Sequence, residues 1–189
     1  MQLKNEICEV LIKLDSTYKI DSRDNIENLN IVLNPNSYKE FYSILRLKIH
    51  LTNKNLDIIL VGESSSNDEE CAILEKNILT ILTNNEVTQI DVTNGNIVNN
   101  LKFQCKDCTF SIHKLDNNRF LIYGEQYIRM IDNNLNELWN FCGKDIFVSI
   151  SGKNPFEICN DRIKLYDFED NYYEINFDGK QINQEKNRK

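Results

Sequence analysis

The feature that most constrains this chain is a recurring unit of strand, turn, strand, turn and strand in its second half. Ile78 to Leu82, a turn at Asn84-Asn85, Val87 to Val92, the turn Thr93-Asn94-Gly95 and Asn96 to Val98 form one copy. Phe120 to Tyr123, a turn at Gly124-Glu125, Tyr127 to Asp132, a turn at Asn133-Asn134 and Leu138 to Phe141 form a second. Ile163 to Tyr166, a turn at Glu169-Asp170, Tyr172 to Asp178, Gly179 and Lys180 to Ile182 form a third. The apolar residues follow period two, and Asn, Asp and Gly separate the runs, as antiparallel strands and tight turns require. An apolar residue followed by Asp closes the middle strand each time: Ile90-Asp91, Ile131-Asp132, Phe177-Asp178. The spacings, 41 residues from 91 to 132 and 46 from 132 to 178, match the length of one four-stranded blade.

On these residues, best in Ile131-Asp132-Asn133-Asn134-Leu135-Asn136-Glu137-Leu138-Trp139-Asn140-Phe141 and next in Ile90 to Gly95, the chain resembles the PQQ-like blade of β-propeller proteins over about residues 77–182. The resemblance implies a mainly β fold, an antiparallel meander of propeller-like blades arranged as an open sheet or sandwich. A closed four-bladed propeller, taking the N-terminal third as its first blade, is the alternative. No cofactor follows, because a fold carries no function by itself.

Upstream, Leu45, Leu47, Ile49 and Leu51 alternate with Arg46, Lys48 and His50 and lead through Thr52 to Asn55 into Leu56 to Val61, which predicts a hairpin. Ser37-Tyr38-Lys39-Glu40 has the spacing of a capping box and predicts a short helical turn. Glu63 to Glu70 is wholly polar and reads as a loop. The expected organisation is one β domain over 1–189, with a less regular part over 1–62, the repeats over 71–182 and a frayed tail over 183–189.

No stretch approaches the apolar length of a membrane span, and Asn5, Glu6 and Glu9 interrupt any leader-like run at the start, so a cytoplasmic protein without membrane contact is expected. A formal charge of −7 lacks the basic footprint of nucleic-acid binders and suits a basic protein partner. Six dispersed cysteines in a chain of this size read as buried thiols.

Cys105-Lys106-Asp107-Cys108 followed by His113 has the opening spacing of a zinc knuckle, but the last ligand position holds Asn118. A thioredoxin-type pair would open a helix, whereas Thr109 to Ile112 reads as a strand. Asp132 to Asn136 opens like a calcium loop and then places Glu137 and Gly143 where Gly and Glu are needed, which makes it a turn. His50 and His113 fall on polar faces of their strands, and no phosphate-loop or nucleophile-elbow motif occurs.

Phe156 to Asp178 interleaves aromatics (Phe156, Tyr166, Phe168, Tyr172, Tyr173, Phe177) with seven acids (Glu157, Asp161, Asp167, Glu169, Asp170, Glu174, Asp178). An outward half of those aromatics ringed by carboxylates would dock a basic partner. The expected partner-binding residues are Glu157, Asp161, Tyr166, Asp167, Glu169, Asp170, Tyr172 and Glu174. The functional expectation is therefore a non-enzymatic, acidic protein-binding module, such as an immunity protein that neutralises a basic nuclease-type toxin. The alternative is a small-ligand or metal-binding β domain centred on Cys105, Cys108 and His113. A purely structural partner in a larger assembly is the third option.

Overall fold

The computed structural model describes residues 1–23, 25, 31–63, 70–116 and 118–185. Among them there is no helix, and so none long and apolar enough to cross a membrane. The chain divides into two compact units, Met1–Lys106 and Asp107–Lys189.

The first unit opens with a five-stranded sheet in the order β1-β2-β4-β5-β3. Its strands are β1 (Gln2–Lys4), β2 (Cys8–Leu14), β3 (Ile31–Leu33), β4 (Tyr42–Leu51) and β5 (Asn55–Glu63). The expected hairpin is β4–β5, with Leu45 opposite Leu60 and Leu47 opposite Ile58. Among the described strands β3 alone pairs in parallel, with β5. The uninterrupted run Ile58 to Val61 is buried on both faces. Ile58 and Leu60 face one core, while Ile59 and Val61 join Ile44 under Tyr18, Ile20, Tyr38 and Tyr42. A run without alternation is what such two-sided burial demands.

The second sheet of this unit is the meander β6 (Ala72–Glu75), β7 (Ile78–Thr83), β8 (Glu86–Asp91) and β9 (Asn96–Lys102). Leu79, Ile81 and Ile90 pack into the same core as Val10, Ile12, Leu45, Leu47, Ile49, Ile58 and Leu60. Removing a buried leucine from such a core costs about 2–5 kcal/mol, so the two sheets stand or fall together.

The predicted helical turn at Ser37–Glu40 is absent. Ser37 and Phe41 have φ of 55° and 53°, left-handed values that no α-helix accommodates. The Asn34 side chain closes the segment instead, accepting from the Tyr38 N–H at 2.8 Å and donating to the Tyr38 carbonyl at 2.9 Å. An Asx-type loop has outcompeted the cap.

The second unit holds two further meanders. One is β10 (Thr109–Lys114), β11 (Arg119–Gly124), β12 (Tyr127–Asp132) and β13 (Glu137–Cys142). The other is β14 (Phe156–Ile158), β15 (Arg162–Tyr166), β16 (Tyr172–Asn176) and β17 (Gln181–Glu185). Their shared core is Leu121, Ile128, Met130, Phe147, Ile163, Leu165, Tyr173 and Ile175. Strand β17 extends to Glu185, into the segment expected to fray, and residues 186–189 lie outside the described ones. Most of the expected loop, residues 64–69, also lies outside them.

The Asp that closes each middle strand has an identifiable task in two copies. Asp91 accepts from the Thr93 N–H and hydroxyl at 2.8 and 2.6 Å, and Asp132 accepts from the N–H groups of Asn134 and Asn136 at 2.9 and 2.8 Å. Each is an Asx turn that aims the chain into the next strand. In the third copy Asn176, and not Asp178, accepts from the N–H groups of Asp178 and Lys180 at 3.1 and 2.9 Å. The structural repeat is thus Asp91, Asp132, Asn176, with spacings of 41 and 44 residues. Asn and Asp serve this turn equally, so a pattern that demanded Asp landed two residues late.

Trp139 ties the meanders of this unit together. Its Nε1 donates to the Phe177 carbonyl at 3.1 Å, and its ring lies over Gly179, where a Cβ would come within 2.6 Å of the indole. Gly179 also has φ of 76°, so glycine is required twice over.

Candidate functional site

Alternation splits the acidic and aromatic residues of 156–178 between two faces of the β14–β17 sheet. Ile163, Leu165, Tyr173 and Ile175 point into the core, leaving Arg162, Lys164, Tyr166, Tyr172 and Glu174 on the other face. Tyr166 lies directly opposite Tyr172, their ring centroids 4.9 Å apart. Lys153 sits over the Tyr166 ring at 4.8 Å. The Tyr172 hydroxyl donates to Glu174 at 2.6 Å, and burial together with this carboxylate raises its pKa well above the ordinary phenol value. Phe168 is exposed beside the turn. Phe156 and Tyr173 face inward: Phe156 stacks on Tyr123 at 4.5 Å, and Tyr173 meets Phe141 and Phe147 edge-on.

Cations neutralise much of the acid on this surface. Lys164 pairs with Glu157 at 3.7 Å, Arg162 with Asp161 at 2.9 Å and Glu174 at 3.1 Å, and Lys153 with Asp170 at 3.5 Å. The Arg162 hydrogen bond holds the Asp161 carboxyl below its usual range, and the Tyr172 hydroxyl, with Arg162, does the same for Glu174. Glu169 and Asp178 are exposed. With exposed Lys180 in the same turn as Asp178, six surface carboxylates stand against four cations, and the face keeps a modest negative excess.

Asp167 is the exception, because it is fully buried. Its carboxylate accepts from the Tyr173 hydroxyl at 2.6 Å, the Asn171 N–H at 2.9 Å, the Asn171 amide and the Glu169 N–H. Tyr173 in turn accepts from the Lys144 N–H, and its pKa is pushed up to about 12 by burial and by Asp167. A carboxylate with this many internal donors organises the turn and presents nothing to solvent. Expected among the contact residues, Asp167 is an interior support of the β15–β16 turn.

Among the described residues no group of three or more His, Cys, Asp or Glu side chains could hold a metal ion, and Cys105, Cys108 and His113, the centre of the alternative reading, are not brought together as one. Strand β10 is the reason, since the five extended steps from Cys108 to His113 cover about 16 Å. His113 lies 2.7 Å from the Ser111 hydroxyl and against the Phe156 ring. Burial and the Glu125 and Asp107 carboxylates raise the Cys108 pKa, opposite to what a redox thiol needs. All six cysteines are thiols, yet only Cys8 and Cys71 are buried; Cys105, Cys108 and Cys142 are exposed, contrary to the expectation of buried sulfur.

A polar cluster in the first unit was not legible in the sequence. Glu86, fully buried, accepts from the Glu63 N–H at 2.9 Å, the Thr83 hydroxyl at 3.0 Å, the Tyr38 hydroxyl at 3.1 Å and the Asn36 amide. Lys102 donates to the Tyr38 hydroxyl at 2.7 Å. Burial raises the Glu86 pKa despite these donors. Four donors fill the acceptor positions of one carboxylate, so Glu86 holds β5, β8 and the 34–38 loop together rather than serving as a base. Its partners come from three separate segments, the 34–38 loop, β5 and β7, and no linear pattern marks them.

No known family model and no curated protein sequence matches this chain. Among solved structures it is similar to BamB from Moraxella catarrhalis, with a TM-score of 0.50 and 10% identity over 81% of this chain and 48% of that one. Weaker likenesses are to Hsv2 from Kluyvelomyces marxianus (TM-score 0.43, 10% identity, 72% and 45% of the two chains) and to the AfRom2 CNH domain (0.46, 10%, 78% and 48%). The chain spans about half the length of the proteins it resembles. The fold is mainly β, built of antiparallel, propeller-like meanders.

Proposed function

We propose that this chain is a non-enzymatic protein-binding module whose contact surface is the outer face of β14–β17, and that its partner is a basic protein. The observation that carries the reading is the Tyr166–Tyr172 pair, half-buried and directly cross-strand, beside exposed Phe168 and within a surplus of surface carboxylates. Tyrosines offer a large, stiff contact area at small entropic cost, and a net negative surround speeds encounter with a cationic surface. A nuclease-type toxin domain, basic because it grips nucleic acid, fits this chemistry, with the chain as its immunity protein in the cytoplasm.

The test is a pull-down from native lysate at low and at physiological salt, followed by titration of the retained protein against a Tyr166→Ala/Tyr172→Ala variant. A single basic protein, held more weakly as salt rises and at least about 2 kcal/mol more weakly by the variant, is expected. Failure to complex with basic toxin domains at about micromolar concentration, or binding indifferent to both tyrosines, would sink the reading.

A further inference from the structure

The outer face of the five-stranded sheet carries a second arrangement, in the other compact unit and independent of the reading above. Lys13 on β2 lies directly opposite Arg46 on β4, and Lys48 lies opposite Leu11, so three cations share one side of two adjacent strands. Like charges placed directly across an antiparallel pair oppose the sheet. Arg46 is well neutralised: Asp57 accepts from its Nε and Nη2 at 3.0 and 2.7 Å, and Asp15 lies 3.8 Å from Nη1. Asp15 is itself committed. Burial alone would raise its pKa, but hydrogen bonds from Thr17 and Tyr18, with Arg46, hold it below the usual range. Lys13 and Lys48, both exposed, make no ion pair among the described residues; Asp57 stands directly across from Lys48 on β5, but its carboxylate is taken by Arg46.

Between these groups lies an open cleft of about 280 Å³, lined also by Leu11 and Leu14. That is close to the lower end of small-ligand pockets, about 300 Å³. Diagonal cross-strand neighbours stand about 7–8 Å apart, within which two lysine side chains converge on a single anion. The ligand should therefore carry two negative charges at one point and a compact apolar body. A polyanion is a poor candidate, because the rest of a chain of net charge −7 repels an extended phosphate backbone.

We propose that this cleft binds a small phosphate monoester, its dianionic head between the Lys13 and Lys48 ammonium groups and its body against Leu11 and Leu14. The experiment is calorimetric titration of the full chain at low ionic strength with phenyl phosphate, inorganic phosphate and benzoate, repeated on Lys13→Gln/Lys48→Gln and on Lys144→Gln/Lys180→Gln. Phenyl phosphate is expected to bind saturably and more tightly than either the head alone or the monoanion. The first variant should weaken it by about tenfold or more, while the second, outside the cleft, leaves it nearly unchanged. Since the second ionisation of a phosphate monoester lies near pH 6, affinity should fall between about pH 7.5 and 5.5. No saturable binding up to about 10 mM would overturn the proposal. So would benzoate binding as tightly as phenyl phosphate, or equal affinity in the Lys13→Gln/Lys48→Gln variant, whose unchanged thermal midpoint would exclude misfolding as the cause of a loss.

Discussion

Two outer sheet faces in this chain carry opposite lessons about charge. On β14–β17 Lys153, Arg162 and Lys164 each fall beside a carboxylate, so the most acidic stretch of the sequence becomes a surface of ion pairs with a modest negative remainder. On β2–β4, in a protein of net charge −7, register sets Lys13 against Arg46 and leaves Lys13 and Lys48 outside any ion pair among the described residues. The potential of a face follows from which strands pair and in what register, and the composition of a segment is a poor guide to it.

The comparison is broken most severely from below. Asp167→Ala strips the acceptor from Tyr173 and Asn171 and should cost about 3 kcal/mol, a drop of roughly 10 °C in thermal midpoint. Asp161→Ala, equally acidic in the sequence but fully exposed, should leave the midpoint unchanged. Equal shifts for the two would mean that Asp167 is not the buried support described.

Gly179→Ala tests whether the two meanders of the second unit depend on the close approach of Trp139. Positive φ and the indole contact together should cost about 2 kcal/mol, read from chemical denaturation. A neutral result would show that the turn moves away from the ring without penalty.

Glu86→Gln isolates the buried carboxylate of the first unit. Because the folded pKa of Glu86 is raised, its contribution to stability is complete below the unfolded value and is lost as pH rises through the folded one. Glutamine cannot ionise, so the variant should gain on the native protein as pH rises from acid through neutrality, measured by denaturation at each pH. A difference between the two that is flat with pH would place the Glu86 pKa where an exposed glutamate has it.

Lys13→Glu is the smallest and sharpest change. It places a carboxylate across from Arg46, giving the β2–β4 face the matched pattern of β14–β17, and should stabilise by about 0.5 kcal/mol while abolishing phosphate-monoester binding. Lower stability would mean that the native Lys13–Arg46 juxtaposition carries no strain.

Much of the strand plan was legible because alternation and turn chemistry are local. Middle and outer strands of all three meanders, and the β4–β5 hairpin, stand where period two and Asn, Asp and Gly placed them. The errors have physical causes. At Ser37 a capping box met an Asn34 side chain that closed the loop first. At Asp178 the search for Asp overlooked that Asn176 makes the same turn. Of the expected contact residues, the structure brings Tyr166, Tyr172, Glu157 and Glu174 onto one face and takes Asp167 into the interior.

The sequence by itself determined a mainly β chain, the position of most strands, the propeller-like repeat and the absence of a recognisable catalytic motif. These depend on neighbours within a few residues, which a linear pattern records. The tertiary structure alone decided that Asp167 is interior, that Cys105, Cys108 and His113 fail to converge, that Glu86 ties three segments together and that Lys13 and Lys48 flank one cleft. Each of these depends on register between strands or on contacts between distant segments, and long-range pairing leaves no mark at any single position of the sequence.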